Sequence, residues 1–259
     1  MAMNKSDPIL LIALQRRLAA AADVKTRHFW ERYLKGVIPF RGVPMAKVRA
    51  AVNAWIHTDG VGALSLAQRK RLALSLFEGE HCEDKLAGTL ALSEHLLPHL
   101  RIPDLKALGR LFDANHIADW NTCDWFCVKV LGRFVARDLP DRTAAEAIAA
   151  WKHARTLWQR RAANVAFVNL ARHGELNFPG FVQLMLDTCA TTVQCPERFA
   201  QTGVGWLLRE LSLADRPRVM DFARSHARQL SREGLRYIVE KMSAADAHAL
   251  LKLQTAAVS

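Results

Sequence analysis

A strongly apolar helical pattern begins near Cys82 and again at Trp120, Trp158 and Phe199. The interval is about 40 residues each time. A shorter helical pattern precedes each later one, over 102–112, 142–151 and 179–190. Prolines 44, 98, 103, 140, 179, 196 and 217 fall between the periodic runs, where they start or stop helices. Alternating β-type runs bounded by glycine-rich turns are missing. A helix pair cannot bury its apolar stripe alone, so recurrent pairs must stack on their neighbours.

The pattern predicts an all-α chain, an α-α superhelix (solenoid) of HEAT-like repeats. No linker rich in Pro, Gly or Ser interrupts it, so 1–259 reads as a single domain. Within it, 1–43 forms an N-terminal helical cap, 44–242 the repeats, and 243–259 a C-terminal helix or tail. The chain is basic, with 36 Lys plus Arg against 25 Asp plus Glu, a net charge of +11. Such a surplus favours a polyanionic partner, most often nucleic acid. Arg160, Arg161, Arg209, Arg232 and Arg236 recur at similar depth on the strong helices. If those helices line the concave side, that face is a basic trough for a duplex. Solvated outer-face arginines are the plainer alternative.

The hydrophobic fraction of 51% excludes a disordered chain. The run Ile9–Leu14 is cut by Gln15, Arg16 and Arg17, too short for a bilayer span, and no membrane association is expected. The five cysteines form no C-x-x-C pair and read as reduced thiols in a bacterial cytosol. Cys123 and Cys127 lie four apart, but no histidine completes a zinc set, so neither a metal nor a cofactor is expected. Nucleotide-loop, nucleophile-elbow and H-E-x-x-H signatures are absent, and Gly203-Val-Gly205 lacks a third glycine.

The segment Trp120-Asn-Thr-Cys-Asp124 carries the most chemistry. It sets an indole and a carboxylate one helical turn apart, on one side. Asn121 is expected to cap this helix, with Asp124 three residues later as a capping-box acid. By itself that gives Asp124 a purely structural explanation. Tyr33, Trp120 and Trp206 read first as core aromatics, and alternatively as an electron-rich box for a cation.

Four blocks in order resemble the AlkD-like DNA alkylation repair family, alkylpurine DNA glycosylases of HEAT-like repeats. They are Arg32-Tyr33-Leu34-Lys35 with Phe40-Arg-Gly42-Val43, Trp120-Asn-Thr-Cys-Asp124, Trp158-Gln-Arg-Arg161-Ala-Ala163, and Gly205-Trp206-Leu-Leu-Arg209-Glu210 with Leu230-Ser-Arg-Glu233. They span about Arg27 to Met242. The resemblance implies Asp124 as catalytic carboxylate, Trp120 and Trp206 against the deoxyribose, Tyr33 completing that cleft, and Arg161 on the phosphate backbone. It implies hydrolytic excision of cationic N3- and N7-alkylpurines from double-stranded DNA without base flipping, by a chain expected to act as a monomer. Asn121 and Cys123 depart from the family's motif. A non-catalytic DNA-structure-binding or scaffold protein is the alternative.

Overall fold

The computed structural model describes residues 7–137 and 140–258, and among them every regular element is helical. The α-helices, in chain order, are α1 (Asp7–Ala20), α2 (Val24–Tyr33), α3 (Met45–His57), α4 (Leu66–Ser75), α5 (Cys82–Leu90), α6 (Leu105–Asp113), α7 (Trp120–Phe126), α8 (Gly132–Val135), α9 (Arg142–Ala149), α10 (Leu157–Val165), α11 (Val168–Ala171), α12 (Phe181–Thr192), α13 (Arg198–Leu211), α14 (Arg216–Ser225), α15 (Arg232–Val239) and α16 (Ala244–Val258). The four strong patterns start α5, α7, α10 and α13 to within a residue. The shorter ones become α6, α9 and α12. No helix of the described residues is long and apolar enough to cross a membrane.

The chain divides into two compact units. The first runs to Arg101 and takes in Ala114–Val130; the second holds Ile102–Asp113 and everything from Leu131 onward. In the first unit α1 packs on α3, α3 on α5 and α5 on α7. Its core centres on Trp55, Phe77 and Phe126, with the two phenyl rings edge to face at 5.6 Å. Trp55 also donates its indole N–H to the Leu10 carbonyl at 2.8 Å. In the second unit α10 packs on α13 and α13 on α15. A Cβ at Gly205 would lie 2.5 Å from the Gly234 carbonyl, so only glycine lets α13 approach α15 this closely. Gly203-Val-Gly205 is therefore a helix-packing feature.

Polar bonds repeat with the helices. Asn121 reaches back to Cys82, Arg160 forward to Glu197, Arg161 to Phe199, Arg172 to Glu210, and Glu83 back to Gly42. The first four join one helix pair to the equivalent place in the next, because stacking makes residues about one repeat apart into neighbours, and the last reaches as far back, to the segment after α2.

The segment following α2 is tied down at the start of α5. Glu83, only 1% exposed, accepts backbone N–H bonds from Arg41 at 3.0 Å, Gly42 at 2.7 Å and Val43 at 2.9 Å. Cys82 N–H donates to the Pro39 carbonyl at 2.9 Å, and Arg41 pairs with Asp84 at 2.9 Å. On the other side, Asp23 N–H donates to the Gly42 carbonyl at 2.9 Å. Gly42 has φ +88°, and a Cβ there would meet the Asp23 carbonyl at 2.2 Å. Left-handed backbone and close approach both demand glycine. This strap fixes α2 against the rest of its unit.

Candidate functional site

Trp120 is the first residue of α7, and the N-cap is Asp119, not Asn121. Asp119 is extended (φ −141°, ψ 161°) and 3% exposed. Its carboxylate accepts from Thr122 N–H at 2.9 Å and from the Thr122 hydroxyl at 2.6 Å. The expected cap at Asn121 is thus corrected. Asn121 already lies inside the helix and turns inward, donating to Cys82 Sγ at 3.4 Å. Burial, with the charges of Asp119 and Glu83 adding to it, pushes the Cys82 thiol well above its usual range, so this sulfur is inert. The Sγ atoms of Cys123 and Cys127 approach to 3.9 Å, both buried.

With Asp119 as the cap, Asp124 is not the capping-box acid of α7. It stands five residues after its cap, in the second turn of α7, half-buried. The capping duty that gave it a structural explanation belongs to another carboxylate. One turn before it, the Trp120 indole meets the Tyr33 ring edge to face at 5.6 Å. Tyr33 ends α2, and Trp30 packs edge-on to it at 5.7 Å while stacking on buried Phe40 at 6.0 Å. Tyr33, Trp120 and Asp124, three residues singled out in the sequence, therefore belong to one face of the first unit. The same unit holds a pocket of about 70 Å³ lined by residues including Trp30, Phe40, Asn121 and Trp125. His116, the closest potential proton donor in sequence, lies half-buried in the loop before α7.

The remaining candidates belong to the second unit. Arg161, on α10, is 5% exposed and donates to the Phe199 carbonyl at 2.7 Å and the Thr202 hydroxyl at 3.1 Å. Arg160 donates to the carbonyls of Ala154 and Arg155 and to Glu197 at 2.7 Å. Trp206, on α13, is half-buried, with the Arg209 guanidinium 6.0 Å from its ring centre. Arg209 bonds Glu210 and Glu240. Burial alone would lower its pKa, but those two carboxylates outweigh it and raise it. Glu210 mirrors this: burial pushes it up, yet Lys241 and Arg209 hold it below the usual carboxylate range. Arg232 begins α15 and is exposed. Three of the four predicted DNA-binding arginines of this unit thus have internal partners, which depth along a helix cannot reveal.

Sequence reasoning passed over Thr122, Phe29, Trp30 and Glu83. Phe29 had a signal: it precedes Tyr33 by one helical turn. Glu83 had none, because its partners lie one repeat away.

The fold is that of an all-α protein of stacked helix pairs, with an aromatic and carboxylate face on its first unit. A family model described as "DNA alkylation repair enzyme" matches residues 14–242, and the chain belongs to that family. A solved structure described as a predicted DNA alkylation repair enzyme from Enterococcus faecalis is similar in fold, with a TM-score of 0.72 and 16% identity over 86% of this chain and 97% of that one. No curated protein matches the chain significantly. Family membership places the protein in the repair of alkylated DNA, with DNA as its substrate.

The Asp119 cap carries a prediction. Asp119→Ala is expected to lower stability by about 1–2 kcal/mol, as cap removals do, and to reduce activity by freeing the first turn that holds Trp120. Asp119→Asn keeps a side-chain acceptor and should recover most of both. Urea denaturation of the two variants checks this; equal losses in both would mean that the negative charge, not the cap, matters.

Proposed function

We propose that the protein is a monofunctional DNA glycosylase that hydrolyses the N-glycosidic bond of positively charged N3- and N7-alkylpurines in duplex DNA, without flipping the base. The observation that carries this reading is Asp124, a carboxylate one turn from Trp120 that is not the helix cap. N-alkylation places a positive charge on the purine and makes it a good leaving group. As the bond lengthens, oxocarbenium character grows on the sugar. A fixed carboxylate stabilises that charge and can orient the attacking water. The faces of Trp120 and Tyr33 favour polarised sugar C–H groups and a cation. The sugar contact of Trp206 and the phosphate contacts of Arg160, Arg161, Arg209 and Arg232 rest on the family resemblance and the basic charge.

This mechanism leans on the leaving group, so it predicts selectivity by lesion charge. Duplexes carrying N3-methyladenine or N7-methylguanine should release base. Otherwise identical duplexes carrying hypoxanthine or 1,N6-ethenoadenine should react more slowly by more than about tenfold, since a neutral purine must be protonated to leave. Single-turnover release keeps product dissociation from masking chemistry. Efficient hypoxanthine release would demand a proton donor and sink the mechanism. Salt-sensitive DNA binding with no release from any lesion would select the scaffold alternative.

A further inference from the structure

The helix α2 exposes a stripe that the reading above uses only at its end. Lys25, His28, Phe29, Arg32 and Tyr33 are all exposed and recur at helical spacing along one face. Phe29 and Tyr33 are 52% and 55% exposed, and their rings lie parallel within 4° at 6.1 Å. They are held from beneath: Trp30 packs edge-on to Phe29 at 5.3 Å and to Tyr33 at 5.7 Å, and rests on Phe40. The exposed rings are therefore preorganised, which spares a ligand the entropy of fixing them. Val24, at the start of α2, and Val37, just past its end, are also 59% and 62% exposed. No residue of α2 is buried. Aromatic area of this kind left in water marks a binding surface.

Charge identifies the occupant. Among the described residues, Lys25, His28 and Arg32 make no salt bridge, whereas Arg160, Arg198 and Arg209 are each paired with glutamates. The only acid within α2, Glu31, lies off the stripe and is half-buried. Asp23, at the helix start, accepts from Thr26, and the Lys25 charge adds only the smallest of its interactions. Two cations without a salt bridge, Lys25 and Arg32, and a ring N–H donor, His28, interleaved with fixed aromatic faces match a nucleic-acid strand: phosphates take the cations and the donor, and bases stack on the rings. We propose that this stripe binds unstacked nucleotides, with Phe29 as the stacking platform and Lys25, His28 and Arg32 on the flanking phosphates. The assignment rests on DNA being the ligand, not on excision. It gives the protein an affinity for locally unpaired DNA that is independent of lesion chemistry. Tyr33, which touches Trp120, ends the stripe next to the Trp120 and Asp124 face.

Fluorescence anisotropy of the full chain on undamaged DNA tests this. The probes are a labelled intact duplex and the same duplex with a short unpaired bulge. Phe29→Ala should weaken bulge binding about 5- to 150-fold, the span of one lost stacking contact, and change intact-duplex binding by less than about twofold. Phe29→Trp should bind the bulge as wild type does. Lys25→Ala and Arg32→Ala should weaken both complexes and flatten the salt dependence. Phe29 is exposed, so an unchanged circular dichroism spectrum is expected and confirms that Phe29→Ala is folded. No loss, or equal loss on both DNAs, overturns the proposal. So does binding to anionic vesicles that Phe29→Ala abolishes while both DNA affinities hold, which would assign the stripe to a lipid surface. Failure of base release would leave these results untouched, because no lesion is present.

Discussion

Asp124→Asn is expected to lower excision on the order of 10²-fold or more while leaving the protein folded and able to bind DNA. The rate loss follows from removing a negative charge opposite a developing oxocarbenium, where one preorganised electrostatic contact contributes that much. The small structural effect follows from the geometry of α7. Asp119 and Thr122 close the N-terminus, so position 124 is not needed to satisfy a first-turn N–H. An amide of the same shape in a half-buried second-turn position should change stability by less than about 1 kcal/mol. Single-turnover release of N7-methylguanine measures the rate, and urea denaturation the stability. Two results count against the assignment. Wild-type excision would show that Asp124 is not the catalytic carboxylate. A large stability loss would make it a structural residue, and the rate loss its indirect result.

Asp119 against Asn121 also shows where sequence reading stops. Both residues are good caps, and both stand at the edge of the same apolar run. The choice is made by tertiary structure: Asn121 is drawn inward by Cys82, one repeat earlier, and Thr122 offers Asp119 two donors. The helix starts at 82, 120, 157 and 198 were legible to within a residue, at 82, 120, 158 and 199, because apolar periodicity and proline breaks are local signals. The partners of the arginines were not. Glu197 and the Phe199 carbonyl lie about one repeat beyond Arg160 and Arg161, and periodicity fixes only which side a residue faces. The likeness of Tyr33, Trp120 and Asp124 to a family motif was legible from order along the chain. Their common face is explained by the α2 and α7 packing that the strap at 39–43 maintains.

That strap has one critical residue, and removing it should give the largest stability loss. Glu83→Ala would leave the N–H groups of Arg41, Gly42 and Val43 without their acceptor. Hydrogen bonds to a charged group contribute about 1.5–3 kcal/mol each, and buried donors left unpaired cost about as much. The three share one carboxylate and are not additive, so a total of roughly 3–5 kcal/mol is expected. Glu83→Gln separates charge from shape. Its single oxygen can serve Gly42 and Val43, which share Oε1, but its NH₂ would then face the Arg41 N–H, donor against donor. About half the loss should remain. Because Gly42 also carries the bond from Asp23 at the start of α2, the damage should travel to the aromatic stripe. Amide exchange at Gly42 and Val43 should accelerate first, and bulge binding should fall together with it. If exchange there stays slow in Glu83→Ala, the strap is held by packing of Phe40 and Val43, and the carboxylate is not what places α2 beside Trp120.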